Sequence, residues 1–419
     1  MRILIATYSR QLLGGVEKYL QSLIPNLQSR GHSVGLLYEY PSNAREEGIE
    51  SEASNLSSWC SMELGVDTVL RSLQAWAPDV VYVHGLDDGA LELSLLDAYP
   101  SALFAHTYYG TCVSGRKCHA WPRLEPCARQ FGAACLALYY PRRCGGLNPQ
   151  TMWQRFQIES KRNARLSSYQ AVLVASRHMY REFQQNGVSA DRLHLVPLPI
   201  EGNSAGAAAP QPKTLGYRLL FVGRLVDVKG ISHLLRAMPL AAVRLERPLT
   251  LTIAGDGPER AQLEELARHL GLTVEFSGWV DNRRRADLMR QADLIVVPSL
   301  WPEPFGMVGV EAACFGVPAV GFAVGGIPDW LIPGQSGELA AGNPPTVEGL
   351  AEAIERAFAD PIHYEKLRAG AWEMSKKFGL EAHLAQLESI LAVGEHPGSA
   401  THDPNSARLE ITDWARSKS

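Results

Sequence analysis

The stretch Leu294–Trp330, LIVVPSLWPEPFGMVGVEAACFGVPAVGFAVGGIPDW, decides how the rest of the chain is read. Leu294–Val297 is a short unbroken apolar run, the pattern of a parallel strand covered on both faces. Pro298, Pro302 and Pro304 keep the following residues out of a helix. The spacing then predicts a helix over Gly306–Phe315. Gly309, Ala312 and Ala313 give it small packing positions, and Gly316 and Pro318 end it. Two carboxylates interrupt this apolar setting, Glu303 in the loop and Glu311 in the helix. A charge there is costly unless it is paired or hydrogen-bonded. Acceptor-only groups in such places suit the hydroxyls of a sugar or ribose. Equally, Glu311 can be a buried ion-pair member and Glu303 a solvated loop residue.

Upstream, the same alternation of strand and helix recurs. Arg218–Val222 reads as a strand ending in Gly223-Arg224, followed by Lys229-Gly230 and a helix carrying Leu234, Leu235, Ala237 and Met238. Two cations five positions apart, between a strand end and a helix start, form a natural diphosphate clamp: Arg grips oxygens with parallel N–H bonds and Lys acts as a point charge. The plainer alternative is a surface Lys and a structural Arg. Leu249–Ala254 and Val274–Val280 are further strands, each ending in a turn. Gly325-Gly326 marks another strand-end turn.

The first half is built the same way. Arg2–Thr7 reads as a strand, Gly14-Gly15 as a turn, Val16–Ser29 as a helix closed by Gly31, and Val34–Tyr38 as the next strand. Backbone N–H groups at such a glycine turn can approach a ligand, although the spacing is not GxGxxG. His84 and His106 each follow an apolar strand, where ligands bind in open α/β sheets; histidines there also simply bond backbone. Val172–Ser176 and Leu193–Pro199 complete this half. Glu201–Gly216, rich in Ala, Gly, Pro and Ser, reads as a linker.

The length of 419 residues calls for two domains. An apolar content of 46% with 20% charged residues is that of a globular chain, and a net charge of -4 argues against nucleic acid as partner. No apolar run reaches the roughly 18 residues of a membrane span, and the amino terminus lacks a signal-peptide pattern. A cytoplasmic protein is expected.

Composition shifts between Cys112 and Cys144. From Arg116 to Arg165 there are ten basic residues against Glu125 and Glu159, an excess of eight in an acidic chain. This predicts either a patch for an anionic lipid surface or phosphate-bearing acceptor, or a solvated helix face. Five of the seven cysteines lie here without a CxxC pair. Free thiols are expected, with Cys112, Cys127, Cys135 and Cys144 a weakly signalled structural metal site.

In order along the chain stand GGVEKYL, FVGRLVDVKG, IAGDGP, FSGWV and EPFGMVGVEAACFGVPAV. This constellation resembles the retaining glycosyltransferases of family 4. The resemblance implies a GT-B fold, two doubly wound Rossmann-like domains facing a central cleft: an acceptor-side domain at 1–200 and a nucleotide-sugar domain at 217–378. The insertion at about 112–150 departs from the minimal family pattern, and composition marks a linker at 201–216 and a poorly ordered tail at 394–419 after a closing helix at 379–393. The resemblance also implies that Arg224 and Lys229 hold the donor's diphosphate and that Glu311 takes the ribose hydroxyls. Glu303 and His106 would contact the donor sugar, helped by the backbone N–H groups of Phe305, Gly306 and Met307. Gly278 and Val280 would meet the base, and Gly14 and Gly15 would line the facing wall. No cofactor or catalytic metal is implied beyond the donor, a UDP- or GDP-sugar. The resemblance leaves the acceptor undetermined; the basic patch alone points to a glycan or lipid-linked precursor, with peripheral membrane contact. A sugar-nucleotide epimerase and a non-catalytic sugar-nucleotide-binding subunit are the alternatives.

Overall fold

Branched apolar runs, each too short for a helix, assemble here into two all-parallel sheets. The computed structural model describes residues 1–11, 14–41, 48–49, 56–200 and 213–392. Most of the expected linker (201–212), the expected tail (394–419) and Leu12 and Leu13 of the first loop lie outside these.

The first half runs β1 (Arg2–Ser9), α1 (Gly15–Ser29), β2 (Ser33–Tyr40), β3 (Ser57–Cys60), α2 (Ser61–Leu64), α3 (Val66–Trp76), β4 (Val80–Val83), α4 (Gly89–Ala98) and β5 (Ser101–Ala105). The insertion follows as β6 (Cys118–His119), β7 (Glu125–Pro126), α5 (Ala134–Tyr139) and α6 (Pro149–Arg165). β8 (Ala171–Val174), α7 (Arg177–Gln185) and β9 (Leu193–Leu195) complete it. The sheet order is β3-β2-β1-β4-β5-β8-β9. The chain leaves β1 towards β2 and β3, then returns to β4 on the other side. That reversal opens a crevice at the carboxyl ends of β1 and β4.

The second half repeats the device with β10 (Arg218–Val222), α8 (Ile231–Leu245), β11 (Thr250–Ala254), α9 (Arg260–His269), β12 (Val274–Gly278), α10 (Asn282–Gln291), β13 (Leu294–Val297), α11 (Met307–Ala313), β14 (Ala319–Phe322) and β15 (Gly337–Ala340). Its order is β12-β11-β10-β13-β14-β15, so the reversal falls between β10 and β13. All four residues of β13 are buried, as its apolar run predicts. Asp293, just before β13 and fully buried, accepts from the backbone N–H groups of Gly216 (2.9 Å) and Arg218 (3.0 Å) and pairs with Lys213 and Arg218. That knot fixes the base of the β10–β13 pair, so the loops at the opposite strand ends start from a rigid frame.

α12 (Val347–Ala357), α13 (Pro361–Ser375) and α14 (Leu380–Ala392) end the described chain. α14 crosses back to the first half. Its Glu381 and Glu388 pair with Arg30 at 2.8 and 2.7 Å, and Gln386 donates to the Leu195 carbonyl at 2.9 Å.

Some boundaries differ from the sequence reading. The strand expected to reach Pro199 stops at Leu195, ahead of two prolines that have no N–H for a ladder. The helix expected from Gly306 starts at Met307, because Gly306 takes a left-handed conformation with φ of 86°. The edge strands β3 and β15 had no clear apolar run to announce them.

Candidate active site

The β10–β13 reversal gathers the residues singled out in the second half. After β10 the chain passes Gly223 and Arg224, makes one 3-10 turn over Asp227–Lys229, and enters α8 through Gly230. Gly230 has φ of 67°, and a Cβ there would strike the carbonyl of Pro298. The Lys229 turn is thereby pressed onto the loop that follows β13, which carries Glu303. Gly325, after β14, closes the loop from the other side: its φ is 56° and a Cβ would collide with the Glu303 backbone. The Gly326 N–H donates to the Glu303 carbonyl at 2.7 Å.

Glu303 is only 6% exposed. Its Oε1 accepts from Ser299 Oγ at 2.6 Å and from Lys229 Nζ at 2.5 Å, so the buried charge carries both a hydrogen bond and a counter-charge. Lys229 Nζ also lies 5.7 Å from the centre of the Trp301 ring. The solvated-loop alternative for Glu303 therefore does not hold. Arg224 is exposed, and its guanidinium has no ion partner among the described residues.

Glu311 is half-buried on α11 and pairs with Arg285 of α10 at 3.1 Å. Sequence spacing gave no sign of Arg285. Phe305 is buried with its carbonyl held by Trp330 Nε1 at 2.7 Å, and the N–H groups of Phe305, Gly306 and Met307 precede the first turn bond of α11, from Gly309 to Gly306. Gly278 ends the edge strand β12 with φ of 68°, and its carbonyl accepts from the Gly255 N–H at 2.7 Å. Val280 is half-buried two residues on, beyond the exposed Trp279. These two stand apart from the Lys229–Glu303 pair, with β11 lying between β12 and β10.

The first half presents its own strand ends. Gly14 is the N-cap of α1, and Gly15 opens the helix. Lys18, one turn on, donates to Asn282 Oδ1 of α10 at 3.0 Å, which sets this turn against the other half. His106 follows β5 and is partly exposed; its Nε2 lies 2.8 Å from Nδ1 of the buried His84. Burial, with repulsion from His383 added, holds the His106 pKa down to about 3, so the ring is neutral at physiological pH.

Three further contacts join the halves, none visible as a local motif. Tyr108 Oη donates to the Pro302 carbonyl at 2.5 Å. Arg177 donates from its backbone N–H and Nε to Asp329 at 2.6 and 3.0 Å. Arg116, in the insertion, donates from Nη2 to both oxygens of Asp227 at 2.8 and 2.6 Å, two residues from Lys229.

The insertion bears on two expectations. Cys112, Cys118, Cys127, Cys135 and Cys144, with His119, line one cavity of about 30 Å³. All seven cysteines are free, and burial pushes Cys118 up to about 12 and Cys144 up to about 11, so these thiols stay protonated near neutrality. Among the described residues no group of three or more His, Cys, Asp or Glu is arranged to hold a metal ion. The expected metal site at Cys112, Cys127, Cys135 and Cys144 is therefore not formed: the side chains share a cavity without converging as ligands. The basic excess also shrinks. Arg116, Lys117, Arg142, Arg162 and Arg165 pair with Asp227, Glu182, Glu125, Glu159 and Glu92.

Two family descriptions match the chain: Glycosyltransferase Family 4 over residues 13–202 and Glycosyl transferases group 1 over residues 209–374. Among similar proteins, the glycogen synthase of Mycobacterium tuberculosis (strain CDC 1551 / Oshkosh) is 28% identical over 90% of this chain and 91% of its own. The D-inositol 3-phosphate glycosyltransferase 2 of Catenulispora acidiphila is 42% identical over 41% of this chain and 42% of its own. An Anabaena protein solved in complex with UDP and glucose has the same fold, with a TM-score of 0.66 at 18% identity, covering 94% of this chain and 100% of its own.

Proposed function

The chain belongs to the GT-B glycosyltransferases, and on that footing we propose that it moves a sugar from a UDP- or GDP-sugar to an acceptor hydroxyl, with retention and without a catalytic metal. The observation that carries this reading is the Lys229–Glu303 pair at the β10–β13 reversal, with Arg224, exposed and without an ion partner among the described residues, in the same β10–α8 loop. Arg224 and Lys229 hold the diphosphate and stabilise the charge that grows on it as the sugar departs. The leaving phosphate oxygen takes the proton of the acceptor hydroxyl, which attacks from the same face. Glu303 keeps one oxygen bonded twice, to Ser299 and Lys229, and offers the other to a sugar hydroxyl; it is an orienting acceptor and not a nucleophile. His106, Phe305, Gly306 and Met307 complete the sugar pocket, and Gly14 and Gly15 the facing wall. Glu311 exchanges Arg285 for the ribose, and Gly278 and Val280 border the base. The halves at 1–200 and 217–378 act as separate bodies closing on the donor, with 201–216 and the helix at 379–393 as the hinge.

Nucleoside diphosphate release from a panel of UDP-, GDP- and ADP-sugars with candidate acceptors tests the reading. Arg224→Ala is expected to lower kcat/KM for the productive donor about a hundredfold. Turnover unchanged in that variant would remove Arg224 from the site.

The acceptor class we propose is a glycan or lipid-linked precursor, met at the cytoplasmic face of a membrane. No helix among the described residues is long and apolar enough to cross one. Arg123, Arg129, Arg143, Arg155 and Lys161 are left without carboxylate partners among the described residues, and Trp121, Leu147 and Trp153 nearby are 53%, 77% and 49% exposed. These five cations, of which Arg143 lies 5.1 Å from the centre of the Trp121 ring, together with the exposed aromatic and aliphatic side chains suit a weak, salt-sensitive contact with anionic lipid. Sedimentation with phosphatidylserine-containing vesicles is expected to carry the protein down at low salt and to lose it in about 0.5 M salt. Equal binding to neutral vesicles would exclude this contact.

A further inference from the structure

One ring nitrogen of His106 is taken, and only the other is left for a ligand. Its Nε2 and Nδ1 of His84 are 2.8 Å apart, so one proton lies between them and belongs to one ring or the other. The rest of His84 decides which. The side chain is buried and its second nitrogen, Nε2, has no hydrogen-bond partner among the described residues. Aromatic rings surround it, with the centroids of Tyr82, Tyr19 and Phe104 at 4.2, 5.8 and 6.2 Å.

Suppose His106 supplied the shared proton. Neutral His84 would then carry its own proton on Nε2, a buried N–H with neither oxygen nor nitrogen to receive it. If His84 supplies the proton from Nδ1, the group left over is a bare lone pair, and unmet acceptors are the commoner and cheaper omission in protein interiors. With Nε2 of His106 accepting, the proton of neutral His106 must sit on Nδ1. That nitrogen has no partner among the described residues, on a side chain that is partly exposed. Burial lowers the pKa of both rings, His106 to about 3, so neither carries a second proton near neutrality.

We propose that His84 is a positioning residue: it holds His106 as the neutral Nδ1–H tautomer, so that the cleft receives a hydrogen-bond donor at this point. The ligand atom it fits is a sugar oxygen with a free lone pair. The loop after His106 touches the Glu303 loop through Tyr108 and Pro302. A donor from one half and the acceptor-only Glu303 from the other would thus read the same sugar in opposite senses. Neutrality matters as well, since an imidazolium would oppose the positive charge that develops at the reacting carbon. The inference rests on the reading of His106 as a donor-sugar contact.

Nitrogen-15 spectra of the histidine rings in the ligand-free, full-length protein report the tautomer without any turnover. Wild type is expected to show His106 protonated on Nδ1, and His84→Phe to lose that signature. His84→Asn, which keeps an N–H near the position of Nδ1, is expected to restore it. In parallel, kcat/KM for the productive donor should fall about tenfold in His84→Phe and recover in His84→Asn. His106 protonated on Nε2 in wild type would overturn the proposal without need of a variant. So would an unchanged tautomer in His84→Phe, or a changed one with undiminished kcat/KM while His106→Ala is impaired. Full activity in His106→Ala, with the tautomer results as expected, would instead place the fault in the reading of His106 as a sugar contact.

Discussion

Lys229→Ala is expected to lower kcat/KM for the donor by about a thousandfold, the upper range for loss of one preorganised charge stabiliser. Two effects combine. The variant loses the cation proposed to meet the diphosphate, and it releases Glu303, whose Oε1 keeps only Ser299 as partner among the described residues. Glu303→Ala frees Lys229 in turn and is expected to cost about as much, while the double variant should be little worse than either single one, because the two side chains act as a unit. Nucleoside diphosphate release measured under single-turnover and steady-state conditions checks this, with thermal unfolding as a control for folding. Costs that simply multiply in the double variant would show that Lys229 and Glu303 work apart, and near-wild-type rates in either single variant would remove that residue from the site.

This coupling was half legible in the chain. The strand at Leu294–Val297, the prolines after it and the glycines at 230 and 325 are local signals, and each dictates backbone geometry that survives into the fold. They place the Lys229 turn and the Glu303 loop at one sheet reversal. Which atoms meet there is a matter of long-range register. Ser299 and Arg285 carry no sequence pattern that marks them, yet they hold Glu303 and Glu311. The edge strands β3 and β15 were silent for a related reason: an edge needs no continuous apolar run, and in SSWC both serines are exposed.

The basic insertion shows the opposite failure. Counting charges from Arg116 to Arg165 gives an excess because a window sees only its own residues. Asp227, Glu182 and Glu92 come from elsewhere in the chain and neutralise Arg116, Lys117 and Arg165. The charge in the window was real; its availability was not. The cysteines mislead similarly. Their spacing brings them round one cavity, but convergence on an ion needs side-chain directions that spacing does not fix.

One of those neutralised cations gives the largest stability effect we expect. Lys117 and Glu182 form an ion pair in which the side chains are 2% and 4% exposed. Lys117 Nζ also donates to the carbonyls of Arg129 and Thr111, and Glu182 also accepts from Asn186 Nδ2 at 2.9 Å. Asn186 Oδ1 in turn receives the Phe131 N–H at 2.9 Å, so this cluster fastens the insertion to α7. Lys117→Met keeps most of the side-chain bulk and leaves Glu182 as a buried carboxylate without a counter-charge. A loss of about 3–5 kcal/mol at pH 7 is expected by urea denaturation. The pH dependence identifies the cause. Burial raises the Glu182 pKa and Lys117 is the largest opposing influence, so removing Lys117 leaves burial less opposed. A carboxyl whose folded pKa is raised contributes stability below its unfolded pKa, about 4.3, and loses it as pH rises through the folded value. The deficit of Lys117→Met should therefore be largest near neutrality and shrink as the pH falls through the raised Glu182 pKa, where the carboxyl protonates. Lys117→Met with Glu182→Leu should recover most of the loss, since both charges are then gone from the interior. A deficit under about 1 kcal/mol at pH 7, or one that grows towards acid, would mean that the pair is not what holds the insertion in place.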